Sequence, residues 1–194
     1  MRKTPFLATL FLVGCLHAGQ TRPPAAAPER LTVTQQLSAL LTPAKVQVTP
    51  SAFSSTESQG TRELRVNWTA SAAAAANAGS PAAGNFSVSS QRQYAESSPR
   101  PRSVEVAPGR IFIAAIDRMS QLKSWTIMAD PRVLRSEGPG PGGTLTGQVV
   151  TLDKAEFFVS IPDDPQITEL RIFEPRLSGQ EYTLVLVGSI PVSR

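Results

Sequence analysis

Few side chains in this sequence are equipped for chemistry. The 194 residues include one His and one Cys, which stand close together as His17 and Cys15 near the N-terminus. Imidazole is the usual general base near neutral pH. With none beyond residue 17, the body of the chain lacks Ser-His-Asp and Cys-His nucleophilic systems and the common His-liganded zinc sites. A single Cys also excludes an internal disulfide framework. Carboxylate chemistry stays open. Asp163 and Asp164 are adjacent, with Asp153 and Glu156 a few residues upstream. Two acids can form a glycosidase pair or supply hard oxygen ligands to calcium. The competing reading is turn formation, because Asp side chains bond to nearby backbone. The spacing fits no EF-hand loop, so Asp163 and Asp164 stand only as calcium candidates, and no metal site or cofactor is assigned. Ser120 precedes Lys123 by three positions, but a Ser-x-x-Lys dyad needs a helix to bring both groups onto one face. No residue is assigned a catalytic role. Arg92, Arg100 and Arg102, with Tyr94, lie in a Ser- and Pro-rich stretch expected to be a loop. They are the binding candidates, suited to phosphate groups on lipid, glycan or peptidoglycan precursors; a solvated loop is the alternative. Trp68 and Trp125 alternate with polar residues and read as core packing or as an exposed aromatic platform.

The elements that would position these groups are mostly strands. The composition has 17 Pro and 13 Gly, which favours turns over long helices. One short helix is expected over residues 33–42, with Thr34 as N-cap, Leu37, Leu40 and Leu41 on one face, and Pro43 at its end; a strand through Leu31 and Val33 is the alternative. From residue 61 the hydrophobic period becomes two. Leu64, Val66 and Trp68 share one face and Glu63, Arg65 and Asn67 the other, as in a half-buried strand. Phe86 and Val88 begin a second strand after an Ala-, Ser- and Gly-rich stretch at 70–84, read as a hairpin tip. Residues 95–103 read as a loop. Ile111–Ile116 is almost wholly apolar, as in a central strand covered on both faces. Leu122–Met128 and a shorter strand at Val133 and Leu134 follow, and then a Gly-Pro loop at 138–143. Leu145–Leu152 and Ala155–Ile161 flank Asp153-Lys154 and suggest a hairpin. Pro162–Pro165 forces a turn, Leu170 and Ile172 mark another strand, and Pro175–Gly179 reads as a loop. Tyr182–Val187 is apolar on both faces and reads as a buried strand. Short strands with turn signals every 8–12 residues point to a mainly β domain over 31–194. The expected architecture is an immunoglobulin-like β-sandwich with a short N-terminal helix and long Pro/Gly/Ala-rich loops.

The N-terminus carries a targeting pattern. Arg2 and Lys3 precede the apolar run Pro5–Val13, which is too short for a membrane span of about 20 residues and fits a cleavable signal instead. The run ends at Leu12-Val13-Gly14-Cys15. This resembles the lipobox of bacterial lipoproteins, in which a Cys after a small residue is acylated and becomes the mature N-terminus. The resemblance implies a signal peptide over 1–14, lipidation of Cys15, and anchoring through diacylglycerol and palmitate-type acyl chains, each buried CH₂ contributing about 0.8 kcal/mol. It also implies sorting to the outer membrane where the cell has one, because Leu16 rather than Asp follows the Cys. Secretion after cleavage near Ala18 is the alternative, although Leu16-His17-Ala18 fits the small-x-small preference poorly; an uncleaved anchor is the other. Residues 15–30, with Pro23, Pro24 and Pro28, read as a tether of extended, semi-rigid chain.

The formal charge is +4, and Arg2 and Lys3 supply two of the cations. A balance this small gives no footprint of a nucleic-acid binder. Together these features lead to the expectation of a cell-envelope lipoprotein whose sandwich is a non-catalytic protein-binding or structural module. It would be held at the membrane by its lipid and would meet an envelope protein partner. A solute- or glycan-binding lipoprotein is the alternative, followed by a carboxylate-dependent hydrolase.

Overall fold

The structure is a computed structural model that describes residues 32–49, 60–71, 84–96, 104–139, 141–143 and 145–193. Cys15, His17, the tether, the 73–76 alanine run, Arg100 and Arg102 lie outside the described residues. The helix α1 (Val33–Leu41) is followed by nine strands: β1 (Thr61–Ala70), β2 (Gly84–Tyr94), β3 (Arg110–Ile116), β4 (Leu122–Ala129), β5 (Val133–Pro139), β6 (Leu145–Thr151), β7 (Lys154–Pro162), β8 (Glu169–Ser178) and β9 (Glu181–Pro191). They pair antiparallel in three sheets, ordered β2-β1-β7, β4-β3-β8-β9 and β5-β6. The fold is mainly β, with sandwich-like antiparallel sheets.

Side-chain alternation explains the layers. On β1 the residues Leu64, Val66 and Trp68 are buried while Arg65 is exposed, and on β7 Phe157, Val159 and Ile161 are buried while Glu156, Phe158 and Ser160 are exposed. These inner faces pack on Ile111, Ile113, Leu170 and Ile172 of the four-stranded sheet to form the first core. The opposite face of that sheet presents Phe112, Ala114, Ile116 and Phe173, and Leu37 and Leu41 of α1 cover it to form the second. Strand β3 therefore lies between two apolar layers, and every residue from Ile111 to Ile116 is buried. Both Trp residues are in the core. Trp68 is 1% exposed, and Trp125, 6% exposed, stacks on Phe112 with ring centroids 5.8 Å apart.

Several local expectations are corrected. The N-cap of α1 is Thr32 rather than Thr34: its Oγ1 accepts from the Gln35 backbone N–H at 3.3 Å, and Gln35 Oε1 accepts from the Thr32 N–H at 2.8 Å, a reciprocal capping box. Asp153-Lys154 does not close a hairpin, because β6 pairs with β5 while β7 crosses to β1. The crossing buries the apolar face of β7, and the Asp153 carbonyl accepts from the Ala70 N–H to tie the link to β1. The hairpin is instead β5–β6, with Gly138 and Pro139 inside β5 and one 3₁₀ turn at Pro141–Gly143. Strand β8 runs through Pro175 to Ser178. Its pairing with β3 stops at Phe173, so Pro175 has β9 alone as neighbour and needs no second ladder partner for the N–H it lacks. Strand β9 is an edge rather than a doubly covered strand; Leu184 and Ile190 are buried but Leu186 is 53% exposed.

The two faces of the three-stranded sheet should respond differently to truncation. Leu64→Ala, at an inner position, is expected to cost about 2–5 kcal/mol, and Phe158→Ala, at an outer one, less than about 1 kcal/mol. Denaturant melts of the two variants check this, and equal losses would contradict the inner and outer assignment.

Candidate functional surface

The outward face of β2-β1-β7 collects two of the binding candidates named from the sequence. Arg92 and Tyr94 lie on β2 rather than in a loop, opposite Glu63 and Thr61 of β1. Strand pairing extends this far because β1 runs in register with β2 to Thr61, past the bulge between Arg65 and Val66. The Tyr94 hydroxyl donates to Glu63 Oε1 at 3.2 Å. Arg65 Nη2 donates to Glu156 Oε1 at 2.7 Å, and the bond and charge of Glu156 hold the Arg65 guanidinium above its ordinary pKa. Both members of that pair are half-exposed, so it orients the side chains more than it stabilises the fold. Glu63, Arg65, Ser90, Arg92 and Phe158 line a shallow cleft of about 120 Å³. Phe158 is 55% exposed and Tyr94 44%. Arg92 has no carboxylate partner among the described residues. The face thus combines two aromatic rings, a cation without a carboxylate partner among the described residues, and mixed charge on the outer side of one sheet.

Asp163 and Asp164 serve the fold in different ways. Arg62 is in phase with Leu64 and Val66 on the inner face of β1 and is 1% exposed. Its Nε faces Asp163 Oδ1 at 3.8 Å, and its Nη groups donate to the Ser193 carbonyl at 3.4 Å and the Asp164 carbonyl at 3.5 Å. Asp163 Oδ2 accepts from Gln93 Nε2 at 3.3 Å. Asp164 Oδ1 accepts from the Gln166 backbone N–H at 2.8 Å, as in an Asx turn. One acid therefore balances a buried guanidinium and the other shapes a turn. Among the described residues no three His, Cys, Asp or Glu gather as a metal site. The inward Arg62 was readable from its parity with Leu64, yet its charge argues for solvent.

The Ser-x-x-Lys pair is divided between partners. Ser120 Oγ accepts from Arg171 Nη2 at 3.2 Å, whereas Lys123 Nζ donates to Gln166 Oε1 at 2.7 Å and pairs with Asp117 Oδ2 at 3.3 Å. These residues build the β3–β4 turn, in which Asp117 Oδ1 accepts from the Met119 and Gln121 N–H groups. A second polar node has no sequence forerunner. Arg132 and Asp130 form a buried bidentate pair, with Nε–Oδ1 and Nη2–Oδ2 both 2.8 Å, and the guanidinium lies 5.6 Å from the Trp68 ring centroid. The Arg132 carbonyl accepts from Leu152 N–H, so this node holds both ends of the β5–β6 hairpin. Along the seam between β2 and the end of β9, a cavity of about 360 Å³ is lined by Leu64, Phe86, Val88 and Ile190 together with several serines.

Compared with known proteins, the chain matches no family model, no curated protein and no solved structure.

The Asp117 turn should show in acid. Partial burial pushes this carboxyl up, but the Gln121 and Met119 N–H groups and Lys123 outweigh burial and leave it below its ordinary 3.8. A depressed carboxyl stabilises the fold above its unfolded pKa, and the benefit is lost as pH falls through the folded value. Asp117→Asn is expected to cost about 1 kcal/mol at pH 7, with the gap to the parent closing as pH drops below 3.8. Melting both proteins from pH 7 to pH 2 checks this, and a gap independent of pH would contradict it.

Proposed function

We propose that the protein is a cell-envelope lipoprotein, anchored through an acylated Cys15 and sorted to the outer membrane where one exists. Its β domain acts as a protein-binding or structural module without a catalytic step. The observation that carries this reading is the outward face of β2-β1-β7, where Tyr94 and Phe158 stand exposed beside Arg92 and the Arg65–Glu156 pair. Aromatic rings and arginine are the side chains that protein interfaces favour at their centres. Of the acids singled out as hydrolase or calcium candidates, Asp163 and Asp164 are occupied with Arg62, Gln93 and the turn at Gln166, and Glu156 with Arg65, which favours a fold role for these three. Solute or glycan binding is the second reading, favoured by the seam cavity, whose size lies at the lower end of the roughly 300–1,000 Å³ range of small-molecule sites. It expects a small molecule retained through native purification.

The anchor is tested by Cys15→Ala, which should move the protein from the membrane fraction to the soluble one or block its maturation; unchanged partitioning would contradict the lipid. The binding face is tested by a photoreactive residue at position 160 on β7, used for crosslinking in the intact envelope. A captured protein is expected, and its yield should fall at least about tenfold, or about 1.4 kcal/mol, when Arg92→Glu and Phe158→Ala are combined. No protein captured, or capture indifferent to those changes, would count against this face.

A further inference from the structure

The β5–β6 ribbon stands apart from the two sheets that enclose the cores. It has two strands, its ladder runs from Val133↔Thr151 to Pro139↔Leu145 without a bulge, and its exposed residues include Leu134 at 52%, Val149 at 70% and Val150 at 44%. Two-stranded ribbons are marginal alone. A regular edge without a bulge or Lys, whose one Pro, Pro139, stands at its last position, is open to another strand over Val133–Gly138, and among the described residues β5 pairs with β6 and nothing else.

The charges along β5 specify what that strand is. Arg135 and Glu137 are two residues apart, so they share one face of the strand. Neither has an ion-pair partner among the described residues. We propose that β5 pairs antiparallel with β5 of a second copy of this chain, about a two-fold axis at Ser136, to make a continuous four-stranded sheet β6-β5-β5-β6. In that register Arg135 of each chain lies opposite Glu137 of the other, and two equivalent ion pairs form. Leu134 on the opposite face meets Gly138, which has no side chain to obstruct it. Moving the axis one residue places Arg135 against itself or Glu137 against itself, so the alternatives with the same facing are repelled. The free edge of β6, which reads Leu-Thr-Gly-Gln-Val-Val-Thr, has no charge to choose a register. Closed two-fold pairing also uses up the β5 edge without making an open fibre through it.

The two-fold axis gives a direct test in the full-length chain in its own membrane. Directly opposed residues in an antiparallel ladder have Cα atoms about 4.5–5.5 Å apart, within disulfide reach. Ser136→Cys should therefore give an oxidised dimer on a non-reducing gel, and Thr146→Cys, at an exposed position on β6, should not. Adding Arg135→Glu to Ser136→Cys sets like charges opposite each other twice and should lower the dimer yield about tenfold. Adding Glu137→Arg as well restores opposite charges and should restore the yield, which a variant that merely misfolds would not do. The proposal is overturned by no dimer at Ser136→Cys, by equal dimer from Thr146→Cys, by a yield indifferent to Arg135→Glu, or by failure of the double reversal to recover it.

Discussion

The four-stranded sheet has two apolar faces, and both must be covered. Strand β3 concentrates the requirement, since Ile111, Ile113 and Ala115 point one way and Phe112, Ala114 and Ile116 the other, and all six are buried. The cover on one side is the three-stranded sheet and on the other α1. At about 1.5–3 kcal/mol for each large apolar side chain removed from water, these two contacts supply most of the drive to fold. The capping box of α1, the crossing of β7 to β1 and the inward turn of both Trp residues all serve them.

Covering β3 also decides which surfaces remain free. Among the described residues, the outward faces of β1, β2 and β7 have no layer over them and the edges β5 and β9 have no strand beyond them. Polar nodes then hold the junctions. Arg62 with Asp163 closes the end of the sandwich near Ser193, and Arg132 with Asp130 fixes the root of the hairpin against Trp68. The Arg132–Asp130 pair is buried on both sides, and a pair of this kind contributes little net stability against an apolar replacement but is costly to break on one side. Placement at junctions gives both pairs a positioning role: they hold one element relative to another.

Local periodicity made much of the fold legible. The alternation of Leu64, Val66 and Trp68, the apolar run at Ile111–Ile116 and the Phe157, Val159 and Ile161 face each identify a strand and its buried side. The helix was readable from its leucines, although the capping residue lay two positions earlier, where reciprocal bonds with Gln35 were available. Pairing was less legible because it is nonlocal. Asp153-Lys154 looks like a hairpin turn, yet the apolar face of β7 gains more beside β1 than an exposed β6 can offer. Pro175 reads as a break, but it falls where β8 has already left β3. Of the candidate site residues, Arg92 and Tyr94 were picked out by type and then found on a strand instead of a loop. Phe158 was hidden as the exposed member of a strand noted for its buried face, and Arg62 was disguised by its charge. The complementarity of Arg135 and Glu137 has no meaning until β5 is known to have a free edge.

Native-state hydrogen exchange on the full chain, resolved along the strands, addresses the double coverage of β3 most directly. The amides of residues 111–116 should exchange slowest, opening only with global unfolding, while those of the outer half of β2, residues 89–94, exchange at least about a hundredfold faster through local opening. Equal or faster exchange in 111–116 would contradict a fold organised around that strand.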